Sequence, residues 1–205
     1  MTETPARWTP WAIGFVVTAV LVVSSMAYLD RPFADWVYSD LRSEVLDRSM
    51  RAGFTVLSAT LVCMLFWLTF AGMRAVLGQA VDRRSDLLLV SWSATLALAL
   101  IEILKGIFGR SSPYPTWVVE RNYYFRPVNP SGGAFPSGTT AIAAAALLTF
   151  ATRQPRFRPA CIAAIIVIAV ALPLDNAHWI SDVVGGVFVG VLASRVTLAL
   201  LTPAP

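Results

Sequence analysis

The sequence predicts an all-α, polytopic membrane protein, a bundle of about six transmembrane helices. Composition is the first reason: 57% of the 205 residues are hydrophobic and 14% are charged, against about 25% charged in an ordinary soluble domain. Spacing is the second. Apolar runs near the ~20 residues needed to cross a bilayer recur from end to end, so residues 1–205 read as a single membrane-embedded domain with no soluble remainder. The third is backbone chemistry. Lipid offers no hydrogen bonds, and helices satisfy their own N–H and C=O groups within one segment.

The apolar segments fall at approximately 11–29, 53–77, 86–108, 138–152, 159–176 and 180–201. The first follows a single arginine, Arg7, and Ser25-Met26-Ala27 has the look of a cleavage site. The stretch is long for a signal peptide, however, and reads as a retained span. Loop one, about 30–52, sets Trp36, Val37, Leu41 and Val45 at near-helical spacing among charges, the pattern of an amphipathic helix on the membrane surface. The fourth segment is the shortest and carries Ala141, Ala143, Ala144, Ala145 and Ala146; the sixth carries Gly185, Gly186 and Gly190. Small faces let helices approach closely, which places both inside the bundle. Loop three, about 109–137, is rich in Pro and Gly, and its Trp117, Tyr123, Tyr124 and Phe125 suit an interfacial anchor. Loop five is barely a turn around His178.

The net charge of +4 resides largely in short loops between apolar segments. Membrane topology explains it there, and a nucleic-acid partner is not expected. Cys63 and Cys161 both lie inside apolar runs and read as buried small hydrophobes. With a single histidine in the chain no zinc-type ligand cluster can be assembled, so neither a metal nor another cofactor is expected. Basic residues divide evenly between the two faces if both termini are inside; setting aside Lys105 and Arg110 as site residues tips the balance to that orientation. Odd-numbered loops share a side, so loops three and five meet on the outer face. In a bacterial inner membrane this is the periplasmic side.

Three short segments carry chemistry. In His178-Trp179-Ile180-Ser181-Asp182, a helix starting near the histidine would put His178 and Asp182 on one face. A carboxylate on one ring nitrogen fixes the tautomer and makes the other nitrogen a better base or nucleophile. A satisfied buried pair is the bland alternative, but ionisable groups at membrane depth are costly and usually functional. Phe135-Pro136-Ser137-Gly138-Thr139-Thr140 opens the fourth segment, where free N–H groups and the helix dipole favour an anion. Taken alone it reads as a plain N-cap by Ser137. Lys105 and Arg110, at the end of the third segment, would clamp phosphate oxygens. Otherwise they are a snorkelling pair with Glu102 one turn away.

The order and spacing of these segments resemble the type-2 phosphatidic acid phosphatase family of membrane lipid phosphatases. Its pattern is Lys-x6-Arg-Pro, then Pro-Ser-Gly-His, then Ser-Arg-x5-His-x3-Asp. Lys105 and Pro113, then Pro136, Ser137 and Gly138, then His178 and Asp182 fit; Ser112, Thr139 and Ala171-Leu172 depart. Some relatives write the first motif as Gly-Arg-x-x-Pro followed by Trp, echoed here by Gly109, Arg110, Pro113 and Trp117. The resemblance implies a six-span bundle of that family's type, a phosphohistidine on His178 oriented by Asp182, and phosphate held by Lys105, Arg110, Ser137, Gly138 and Thr139. It also implies lipid phosphate or diphosphate substrates, membrane lipids as surroundings, and no metal. Thr139 stands where the family has its general acid, and losing such an acid costs about 10²–10⁴-fold. The loss matters least for a diphosphate, whose leaving group is itself a phosphate. A polyprenyl or other lipid diphosphate is therefore the expected substrate. Phosphotransfer to another hydroxyl through the same His178 is one alternative. A catalytically impaired lipid-phosphate binder or assembly subunit is another.

Overall fold

The computed structural model describes residues 9–41, 85–128 and 133–202, with part of the segment 52–78. Helices dominate, and among the described residues the sole β feature is an isolated antiparallel bridge between Arg110 and Phe125. The order is α1 (Thr9–Tyr28), α2 (Asp30–Trp36) continuing into a π-helical turn (Val37–Leu41), and α3 (Asp86–Phe108). A second π-helical turn (Pro113–Trp117) precedes α4 (Gly138–Arg153), α5 (Arg158–Leu174) and α6 (Ile180–Leu201).

Among the described residues, four helical stretches are long and apolar enough to cross a membrane: Pro10–Tyr28, Asp86–Phe108, Pro155–Leu174 and Ile180–Leu201. The fourth apolar segment forms α4, whose 16 residues span only about 24 Å at 1.5 Å per residue. The second segment lies only partly within the described residues, and those described between 52 and 74 are helical. The chain is thus an all-α membrane protein.

Packing follows residue size. In α4, Ala141, Ala143, Ala144, Ala145 and Ala146 are all buried; of the buried glycines of α6, Gly186 and Gly190 pack against its start and first turns, and Gly185 against Phe135 and Pro136 just before it. A Cβ on Gly190 would sit 2.6 Å from the Ala141 carbonyl oxygen, and one on Gly186 would sit 2.6 Å from that of Ser137. Backbone-to-backbone approach of this kind is how membrane helices gain dispersion energy without a hydrophobic drive. Helix α3 completes the central trio, with Ala97 and Ile101 sharing a core with Ala141, Ala145, Val189 and Ala193. Helices α1 and α5 flank the trio with long apolar side chains left exposed, as lipid-facing helices do. Cys161 is buried as expected, whereas Cys63 is exposed: its helix turns that side chain outward.

The described part of loop one is helical with one face turned inward, and Val45 lies outside the described residues. Asp30, Ala34 and Val37 are buried, at i, i+4 and i+7. Ala34 packs into a small cluster with Val118, Ala134 and Trp179, while Trp36 and Leu41 face outward. The helix therefore straps one end of the bundle. Loop-three aromatics join it: Tyr123 packs edge-on against Trp179 at 5.6 Å between centroids, and against Trp117 at 6.5 Å.

Candidate active site

The C-terminal end of α3 and the N-terminal ends of α4 and α6 meet at this strapped end. Ser85 caps the start of α3 by accepting from the Leu88 N–H, and Gly109 ends it in the left-handed region at φ 52°. A Cβ on Gly109 would lie 1.8 Å from the Arg126 carbonyl oxygen, so the turn requires glycine. That turn sends residue 110 back under the bundle. The next strand of chain is held by Arg126 N–H to Gly109 O at 2.9 Å, Ser111 N–H to Tyr124 O at 2.9 Å and Ala134 N–H to Arg110 O at 2.8 Å.

Lys105 and the Pro-Ser-Gly corner come together as the sequence suggests. The Cβ position of Gly138 lies 3.6 Å from Lys105 Nζ. An ammonium thus stands at the positive end of the α4 dipole, and two like partial charges side by side favour an anion between them. Its nearest carboxylate, Glu102, is 3.9 Å away and mostly exposed, a weak partner. Ser137 itself is consumed by capping: its hydroxyl accepts from the Thr140 N–H at 3.4 Å and the Thr140 hydroxyl at 3.0 Å, and the residue is fully buried. What the corner offers outward is backbone, the first N–H groups of α4 at Gly138 and Thr139, which have no intrahelical acceptor.

His178 and Asp182 also come together, but by a different route from a shared helix face. The helix begins at Ile180, and His178 lies in the turn before it. Asp182 caps the helix, Oδ2 accepting from the Trp179 N–H at 3.0 Å. The same oxygen is 3.5 Å from His178 Nδ1, which is buried and makes no hydrogen bond. The ring keeps 15% of its side-chain exposure. It lines a pocket of about 340 Å³ together with Ser111, Ser112, Thr116 and Tyr124. The Ser137 N–H donates to the Asp182 carbonyl at 2.9 Å, so the α4 corner and the histidine turn are joined through backbone.

Arg110 borders the same pocket as His178, and its guanidinium is held by protein groups. The residue is 1% exposed, and both terminal nitrogens are committed. One donates to Asp182 Oδ1 and the Ser181 hydroxyl, both at 2.6 Å; the other donates to Asp30 Oδ2 at 2.6 Å. The guanidinium carbon lies 5.0 Å from the Trp179 ring centroid and 5.4 Å from that of Tyr123. Burial alone would lower the affinity of this guanidinium for its proton; Asp182 and Asp30 outweigh that and hold it above the ordinary value. A buried ion is costly without partners, and the two carboxylates and Ser181 occupy both terminal nitrogens while Nε is left without a hydrogen bond.

Asp30, Ser181 and Trp179 complete the set: Ser181 and Trp179 lie inside the His178–Asp182 segment, where the sequence gives them no role, and Asp30 lies far from it. Asp30 stands just past an apolar run, where an acidic residue normally marks the interface, yet it accepts from the Ser181 N–H at 3.1 Å and the Ser181 hydroxyl at 2.5 Å. Trp179 donates its indole N–H to the Ser111 carbonyl at 2.8 Å.

Residues 86–204, more than half of the chain, match the family model of the PAP2 superfamily. Among solved structures, the fold is similar to the crystal structure of a transmembrane PAP2-type phosphatidylglycerolphosphate phosphatase from Bacillus subtilis. The TM-score is 0.65 at 17% identity, over 95% of this chain and 96% of that one. No curated protein sequence matches.

Proposed function

The chain belongs to the PAP2 superfamily, and on that premise we propose that it is a membrane phosphohydrolase acting on a lipid diphosphate through His178. The observation that carries the reading is the placement of His178, one ring nitrogen turned to Asp182 at 3.5 Å and the ring forming part of a polar pocket wall. In this reading the Nε2 lone pair forms a bond to phosphorus as the bond to the leaving oxygen breaks, the electron pair departing with that oxygen. Water then attacks phosphorus, the P–N bond returns its pair to the ring, and the water proton leaves with the released phosphate. Lys105 and the Gly138 and Thr139 N–H groups neutralise the equatorial oxygens.

Diphosphate preference rests on Thr139. A hydroxyl is a poor general acid near neutral pH, and the chain has no second histidine to protonate a lipid alkoxide. A phosphate leaving group needs no such proton. The proposed setting is a bacterial inner membrane with the site on the outer face.

The test is phosphate release by purified protein in detergent, with farnesyl diphosphate and a short-chain phosphatidic acid as substrates. The wild type is expected to prefer the diphosphate, His178→Ala to fall to background, and Thr139→His to raise monoester turnover about 10-fold or more. Equal rates on both substrates remove the preference. Background release by wild type and His178→Ala alike favours the second reading, a lipid-phosphate binder, which the Thr139 substitution and the buried Arg110 make specific. Phosphate appearing on an added alcohol, and not as free phosphate, identifies phosphotransfer.

A further inference from the structure

The residues outside the superfamily match include one that enters the site. Asp30 lies at the start of α2, ahead of the matched residues 86–204, yet it is wholly buried against Arg110 and Ser181, 80 and 151 residues further along the chain. Two carboxylates, Asp30 and Asp182, share one guanidinium, so the buried set of three carries a surplus negative charge. The ring of His178 is the group placed against that surplus, 3.5 Å from Asp182 Oδ2.

Resting on the phosphohydrolase reading above, we propose that Asp30 is a positioning residue for catalysis, holding the Arg110 guanidinium so that Asp182 remains negative toward His178. Two effects combine. Geometrically, the second terminal nitrogen of Arg110 is drawn to Asp30, which leaves Asp182 Oδ2 to the Trp179 N–H and the imidazole. Without Asp30 the planar guanidinium is free to take both oxygens of Asp182 in a forked pair. Electrostatically, Arg110 alone would cancel Asp182; Asp30 cancels Arg110 instead. When Nε2 bonds to phosphorus while Nδ1 keeps its proton, the ring becomes cationic, and the surplus negative charge of the buried set beside it stabilises that state. The guanidinium cannot escape to water, because Trp179 and Tyr123 enclose it. The strap helix α2 thereby becomes part of the active site and not merely a cover.

The experiment compares wild type, Asp30→Asn and the double variant Asp30→Asn/Arg110→Gln on farnesyl diphosphate, using monodisperse protein after gel filtration in detergent. Asp30→Asn is expected to lower kcat about 10- to 100-fold with KM nearly unchanged, since the lost interaction is realised as the ring becomes charged. The double variant removes the unbalanced guanidinium and is expected to recover kcat above the single variant. A merely structural role gives the opposite order, because the double variant loses more buried contacts. Wild-type kcat in Asp30→Asn, or a double variant no faster than the single, overturns the inference while leaving the phosphohydrolase reading intact. Wild type that releases no phosphate overturns that reading, and this one with it.

Discussion

Two arginine–carboxylate contacts sit at opposite ends of helix α3, with similar bond lengths and different surroundings. At the site end, Arg110 meets Asp182 and Asp30 at 2.6 Å with all three side chains fully buried. At the other end, Arg153 Nε meets Asp86 at 2.8 Å with both side chains partly exposed, and Gln154 adds a bond at 2.6 Å. Distance alone would rank the two as near equals. Burial separates them. Water screens the Asp86 pair and competes for its atoms, so it is worth little. In the Arg110 set each ion has lost its hydration, and removing one partner strands the others. Only the buried set has reason to be tied to a reaction, because only there does a charge act through a low-dielectric medium.

The largest effect that would break this contrast is in Arg110→Met. Two buried carboxylates are left facing each other, and the expected loss is about 3–5 kcal/mol, read as a fall in melting temperature in detergent. A loss no greater than that of a surface variant would make the burial argument wrong. Gly109→Ala tests how Arg110 is delivered. A Cβ there meets the Arg126 carbonyl at 1.8 Å and φ is 52°, so a penalty of about 1–3 kcal/mol is expected, with phosphate release falling in the same preparation. Should stability fall and activity per folded molecule hold, the turn shapes the fold but not the site. The smallest effect is in Asp86→Ala, where less than about 1 kcal/mol is expected, shrinking further in high salt. A salt-insensitive loss of several kcal/mol would erase the distinction between the two ends.

Much of the site was legible because its signals are local. Lys105 at a helix end, Pro136-Ser137-Gly138 at a helix start and His178 four residues before Asp182 each declare themselves within one turn of chain. Their meeting on one face followed from counting loops. Arg110 shows the limit of such reading. From sequence it is one more cation beside Lys105, and nothing nearby says that its partners are 80 and 72 residues away. Asp30 is the same case from the acidic side.

By itself, then, the sequence determined the helical membrane class, the interior position of the small-residue helices α4 and α6, and the gathering of the polar segments at one end of the bundle. Those properties follow from hydropathy, residue volume and parity, which are sums over neighbours in the chain. Tertiary structure alone decided which charges pair. Arg110 turns inward because Gly109 bends the chain beneath the bundle and α2 brings a second carboxylate. A buried guanidinium takes the carboxylates within its reach, wherever the chain supplies them.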